Sequence, residues 1–148
     1  FRDMREDDIF QVEQVDGAAF DPLWHNTAAS LRKALEQTAL ATVAVIENEI
    51  VGYQISTSNP LGGHLARLAV LPNLHGRGIG YHLVMDMIQK LWRTGVRSIT
   101  VNTQNDNLRS LSLYKKIGFK ETGDSFHVYE FDVKSKHLLL QSILQNPE

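Results

Sequence analysis

Three glycines alternate with larger residues in LAVLPNLHGRGIGYHL, residues 68–83. Gly76, Gly78 and Gly80 are separated by Arg77 and Ile79, with His75 just before them and an apolar-periodic run just after. Backbone amides at the start of a helix point outward, and the helix dipole behind them favours an anion. Glycine removes the Cβ that would block approach, and Arg77 can add a charge-assisted contact. The chemistry implied is phosphate or pyrophosphate binding. The spacing is not G-x-G-x-x-G, because the third glycine comes one residue early for a dinucleotide fingerprint. Nor does a Gly-Lys-Ser/Thr follow, as a nucleoside-triphosphate loop requires. The ligand expected is therefore a phosphate-bearing molecule of another kind.

A second set lies in NDNLRSLSLYKKIGF, residues 105–119. Asn107, then Ser110 or Leu111, then Tyr114 fall on one face of a helix. Taken alone, Tyr114 reads as a core aromatic and Asn107 as an N-cap. Lys115 and Lys116 suit the last turn, and Gly118 suits the position just past the end. The six histidines show no metal-ligand spacing. The chain has no cysteine, which excludes disulfides, thiolate nucleophiles and cysteine-based metal sites together.

The elements that must hold these residues follow from periodicity. Ile9, Val12, Val15 and Ala19 mark a first helix, and residues 27–39 a second. Residues 40–57 are two β-rich runs around a polar turn at Glu47, Asn48 and Glu49. SNPLGG, residues 58–63, reads as a loop, and residues 64–72 as a buried strand stopped by Pro72. Ile79, Leu83, Met87 and Leu91 form one helical stripe ending at Gly95. A strand over 96–104 precedes the Asn107 helix, and residues 126–133 make a final strand. With residues 1–5 as a first strand and 120–122 as a short sixth, the order is β-α-α-β-β-β-α-β-α-β-β, an α/β chain with a mixed sheet. The 148 residues suit one domain over 1–133, and 134–148 carry the pattern of a short amphipathic helix. At 43% hydrophobic and 22% charged, the chain can build a real core. Residues 1–60 hold ten acids and four bases, net −6, and residues 61–148 seven acids and eleven bases, net +4. Solvated surface accounts for this, and so does a site taking an anion on one side and a cation on the other. Neither part has the Lys/Arg density of a nucleic-acid binder. With no long apolar run or signal-peptide pattern, the reading is a soluble cytoplasmic protein without membrane contact.

Together the two motifs resemble the GCN5-related N-acetyltransferases. That family carries Val-x-Pro-x-x-[Arg/Gln]-x-x-Gly-x-[Gly/Ala], then downstream Asn-x-x-Ala-x-x-x-Tyr-x-x-x-Gly-Phe. Val70, Pro72, Gly78 and Gly80 match the first part; Asn107, Tyr114, Gly118 and Phe119 match the second. Ser110 replaces the usual Ala, and His75 stands where the family prefers Arg or Gln. Gly52, in IVGY, sits where the family's third strand usually carries a glycine.

The resemblance implies a mixed, mostly antiparallel sheet of six to seven strands flanked by about four helices, the acyl-CoA N-acyltransferase fold. It implies acetyl-CoA as cosubstrate, without a metal, in a V between strands at residues 64–71 and 98–103. Leu68, Ala69 and Val70 would contact the pantetheine arm through backbone. The amides of His75, Gly76, Arg77, Gly78, Ile79 and Gly80 would hold the pyrophosphate, with Asn107, Ser110 and Tyr114 also lining the coenzyme site. Acetyl would pass directly to a primary amine in a ternary complex, with no cysteine to carry an acyl intermediate. An N–H near Ala69 or Val70 would polarise the thioester, and Tyr114 would protonate the departing thiolate. Asn102 stands where some relatives carry a glutamate base and cannot itself act as one. A water relay is then needed, or another group: His64, His127 or Asp21. A low-pKa amine is thereby favoured over a lysine side chain.

The acceptor pocket implied draws Asp21, Trp24 and His25 from FDPLWH, with Tyr53, His64 and Arg67 beside them. Arg67 could read a carboxylate or peptide carbonyl. The partner expected is an amine, a small molecule or a protein N-terminus, bound by a monomer or homodimer. The competing reading is a non-catalytic acyl-CoA-binding or sensing domain on the same fold.

Overall fold

The computed structural model describes residues 1–125. The expected strand at 126–133, the tail at 134–148 and His127 lie outside the described residues. Five strands form one sheet in the order β1 (Arg2–Asp3), β2 (Leu40–Ile46), β3 (Glu49–Asn59), β4 (Gly62–Val70), β5 (Ile99–Val101). The first four pair antiparallel, and β5 joins β4 in parallel. A parallel neighbour needs a crossover, and the connection between β4 and β5 contains α3 (Ile79–Arg93). The other helices are α1 (Ile9–Ala19), α2 (Ala28–Glu36) and α4 (Leu108–Ile117).

Local chemistry explains most of these boundaries. Glu47 and Asn48 both adopt positive φ, 49° and 68°. That pair is the two-residue turn whose twist suits a hairpin. Thr27 caps α2 by accepting from the Ser30 amide at 3.2 Å. Asn107 caps α4 by accepting from the Ser110 amide at 3.1 Å. Gly118 ends α4 at φ 113°, a conformation that suits glycine. Residues 58–63 are a tight hairpin rather than a loop, since Asn59 pairs with Gly62. Residues 120–122 form no strand, so the described sheet has five strands.

Side chains alternate across the sheet and supply cores on both its faces. Ile9, Val12, Val15 and Leu31 from α1 and α2 pack with Val43, Tyr53 and Ile55. On the other face Val84, Met87 and Leu91 from α3 pack with Leu65 and with Tyr114 of α4. Truncating one of these buried aliphatics to alanine costs about 2–5 kcal/mol. Gly52 sits where β3 backbone comes close to β4 and α3. A Cβ there would lie 3.0 Å from the Ala69 carbonyl oxygen and 3.3 Å from Leu83 Cδ1.

Candidate active site

The site begins with an irregularity in β4. Leu65 pairs with Ser56 and Arg67 with Ile55, so Ala66 is an extra residue, a β-bulge. Bulges bend a strand and increase its twist. Pairing with β5 covers only Gly63, His64 and Leu65, opposite Ile99, Thr100 and Val101. From Ala66 onward β4 has no partner on that side among the described residues. Leu68, Ala69 and Val70 therefore lie on a strand with one free edge, which an extended ligand can use as a missing strand would.

The strand leads into the glycine loop through a 3-10 turn, Pro72–Leu74. Gly76 and Gly78 take φ of 78° and 80°, and Gly78 is the N-cap of α3. Among the described residues, the amides of residues 76–81 donate to no backbone carbonyl. Nothing lies within 4 Å of where a Gly76 Cβ would be. Gly80 is packed instead: a Cβ there would lie 3.4 Å from Leu113 Cδ2. Open space at Gly76, unsatisfied amides and a helix dipole together fit a diphosphate. The His75 ring does not face this space with Nε2, which lies 2.8 Å from the Val70 carbonyl oxygen. That contact ties the loop to the end of β4.

Tyr114 is 8% exposed, in the core beside Leu65, Val84 and Met87, with the Phe119 ring set against it at 5.6 Å. Burial pushes its hydroxyl up to about 12. The phenol is thus held protonated and is a weaker acid than free tyrosine. Asn107 spends its side-chain oxygen on the cap. Asn102 is exposed in the segment after β5. His64 pairs with Thr100 in the middle of the short β4–β5 ladder, with Nδ1 2.9 Å from Thr100 Oγ1.

On the α1 side the structure spends two expected acceptor residues internally. Tyr53 is fully buried and donates its hydroxyl to Asp16. Burial first, then that bond, raises the Tyr53 hydroxyl well above the usual phenol range. Arg67 grips Asp16 in a fork, Nε to Oδ2 at 2.8 Å and Nη2 to Oδ1 at 2.9 Å. Asp21 and Trp24 lie exposed in the α1–α2 loop, where the Asp21 carbonyl accepts from the Trp24 and His25 amides. Asp16 itself escaped the sequence reading. The signal was present: Asp16 stands at i+4 from Val12, on the apolar stripe of α1, and a carboxylate is fully buried almost only when paired. Among the described residues, no His, Asp and Glu side chains gather as a metal group. No described helix is long and apolar enough to cross a membrane.

Residues 3–119 match the acetyltransferase (GNAT) family. The chain belongs to this family. An N-acetyltransferase of Bacillus subtilis, YvbK, is 34% identical over 74 residues, 49% of this chain and 48% of the relative. The peptidyl-lysine N-acetyltransferase YjaB of Salmonella typhimurium is 32% identical over 91 residues, 62% of this chain and 57% of the relative. The chain thus spans about half the length of these curated relatives. The ribosomal-protein-S18-alanine N-acetyltransferase of Escherichia coli superposes with a TM-score of 0.75 at 17% identity, over 82% of this chain and 77% of that one. The PaiA N-acetyltransferase of Thermoplasma acidophilum, solved with coenzyme A, gives 0.76 at 16% identity, over 84% and 91%. At such identities the likeness speaks to the GNAT fold, and the fold is an acyltransferase one.

Proposed function

We propose that this GNAT chain moves acetyl from acetyl-CoA directly to a primary amine, within a ternary complex. The observation that carries the proposal is the pairing of unsatisfied amides at residues 76–81 with the free edge of β4. A phosphate-bearing ligand with an extended arm fits both at once. The coenzyme-bound structure of PaiA supports the choice of that ligand. Acetyl-CoA supplies the acyl group already activated as a thioester.

The residues divide the work. Amides of 76–81 hold the diphosphate, helped by Arg77, and the edge of Leu68, Ala69 and Val70 aligns the arm. An amide near Ala69 or Val70 faces the thioester oxygen, a contact that can contribute about 3–4 kcal/mol as charge develops. The amine nitrogen bonds the acetyl carbon, the carbon–sulfur bond breaks, and sulfur leaves as a thiolate. Tyr114 assists that departure as a hydrogen-bond donor. With its hydroxyl at about 12 and a thiol near 8.5, full proton transfer would run uphill by about 5 kcal/mol. As the amide forms the nitrogen gives up its second proton to solvent, and the thiolate takes a proton from solvent. The amine must lose a proton first, and in this reading His64 takes it. Its Nδ1 contact with Thr100 orients the ring one residue before the last β4–β5 pair, and with the Nδ1–H donating to Thr100 the Nε2 atom is the acceptor. An α-amine near 7.7–8.0 asks less of such a base than a lysine near 10.4. The acceptor is thus an α-amino group of a small molecule or peptide, and the setting is cytoplasmic.

The experiment is release of coenzyme A thiol from acetyl-CoA against small amines and N-terminal peptides across neutral to alkaline pH. Acceptor-dependent release, lost on His64→Ala mainly at the acid end, supports both roles. Tight acetyl-CoA binding with no release on any amine would refute the transferase and leave an acyl-CoA sensor.

A further inference from the structure

Arg67 connects more than Asp16. Its Nη2 also donates to the Trp24 carbonyl at 2.6 Å, and its guanidinium carbon lies 3.6 Å from the centre of the Phe20 ring. Asp16 in turn accepts from the Asn26 amide, besides Arg67 and Tyr53. The carboxylate is fully buried, and the Arg67 side chain is only 19% exposed. One buried cluster therefore ties three points of the α1–α2 loop, Phe20, Trp24 and Asn26, to β3 and β4. The tie on β4 falls one residue after the bulge at Ala66, where the free edge begins. The loop it holds presents Leu23, 59% exposed, and Trp24, 42% exposed.

We infer that the Asp16–Arg67–Tyr53 cluster is a positioning device that fixes the α1–α2 loop against β4, and that acceptor binding depends on it while coenzyme binding does not. The inference rests on the transferase reading above and adds to it which residues set the acceptor side. The asymmetry follows from what the cluster touches. It holds side chains on the α1 face and loop backbone, whereas the coenzyme elements are backbone edges and the amides of residues 76–81. The start of α2 has its own tie, the Ala28 amide donating to Glu13 Oε1 at 2.7 Å. Loss of the cluster should therefore release residues 21–27 and leave α2 docked.

Removing one charge alone would leave the other buried, so the test replaces the whole cluster by apolar groups of similar size. The variant is Asp16→Leu/Tyr53→Phe/Arg67→Met, made in a Trp92→Phe background so that Trp24 is the sole tryptophan. Arg67→Lys is the second variant, keeping a charge for Asp16 but losing the fork that also reaches Trp24. Four quantities are measured: Trp24 emission, acetyl-CoA dissociation constant, and KM and kcat for the best amine found. We expect shifted Trp24 emission, acetyl-CoA affinity within about twofold, and an acceptor KM raised about tenfold or more in both variants, with kcat affected less. If the triple variant does not fold, Arg67→Lys decides. Acceptor KM unchanged, or acetyl-CoA affinity falling in parallel, would overturn the inference. The Trp24 arm needs no acceptor. A parent protein that binds acetyl-CoA without turnover refutes the transferase reading, whereas identical Trp24 spectra refute the positioning device.

Discussion

Changing Tyr114 to Phe isolates one hydroxyl. The ring is packed against Leu65, Val84 and Phe119, and phenylalanine keeps that packing, so the fold and acetyl-CoA affinity should change little. What is lost is one donor to a sulfur that becomes negative as the carbon–sulfur bond breaks. A hydrogen bond to a charged group is worth about 1.5–3 kcal/mol, which predicts a fall in kcat of about 10- to 150-fold. The pH behaviour sharpens this. Burial holds the Tyr114 hydroxyl at about 12, so it stays protonated through the whole assay range. The parent kcat should rise with pH as the amine deprotonates and show no falling limb from Tyr114 below about pH 10. The ratio of parent to variant should then be flat between about pH 7 and about pH 10. Stopped assays of thiol release at saturating acetyl-CoA measure both. An undiminished kcat in Tyr114→Phe would refute the donor role. A falling limb near pH 8–9 in the parent, absent from the variant, would refute the argument from burial.

Four further outcomes follow from the same structure. Gly76→Ala places a Cβ in open space at φ 78°; it should cost about 1–2 kcal/mol in stability yet weaken acetyl-CoA by about tenfold in calorimetry, since the open side is where phosphate belongs. Gly52→Ala should lower stability by about 1–3 kcal/mol in a thermal melt, because its Cβ meets the Ala69 carbonyl and Leu83. Arg67→Ala leaves Asp16 buried without its ion pair and should cost about 3–5 kcal/mol in urea unfolding, more than the triple apolar replacement. Stability should hold up to about pH 10 and fall above it, because unfolded tyrosines ionise there while Tyr53 and Tyr114 are held protonated in the fold. Tyr114, at about 12, accounts for about 3 kcal/mol of that loss, so Tyr114→Phe should flatten the alkaline limb of a melt series.

Elements with local signals were readable from the residues. The stripe Ile79, Leu83, Met87 and Leu91 became the inner face of α3, the Asn107 cap and Gly118 stop bound α4, and the Glu47–Asn48 turn closed a hairpin. Features set by the meeting of strands were not. The Ala66 bulge exists only because β3 and β4 pair as they do, and no residue type announces it. Its effect is large, because one extra residue reverses the alternation of side chains. His64 and Arg67, three apart, would face opposite sides of a regular strand. The bulge turns both toward α1, and there Arg67 meets Asp16 rather than open solvent. Likewise β5 is only three residues long, not the nine expected, because β4 leaves it after Leu65. The shape of the glycine loop at residues 76–80 was legible as sequence because glycine spacing encodes backbone shape directly. The α1–α2 segment was legible only as a loop, since its ties run to a carboxylate hidden in α1 and to Arg67.

The central claim is that backbone amides at residues 76–81, beside the free edge of β4, hold the coenzyme. The direct measurement is an amide chemical-shift titration of the isotopically labelled protein with coenzyme A. Saturable shifts largest at residues 76–81 and at Leu68, Ala69 and Val70 are the predicted result. Saturable binding with those amides unmoved, or shifts centred instead on the apolar hollow beside Trp92 and Phe119, would contradict it.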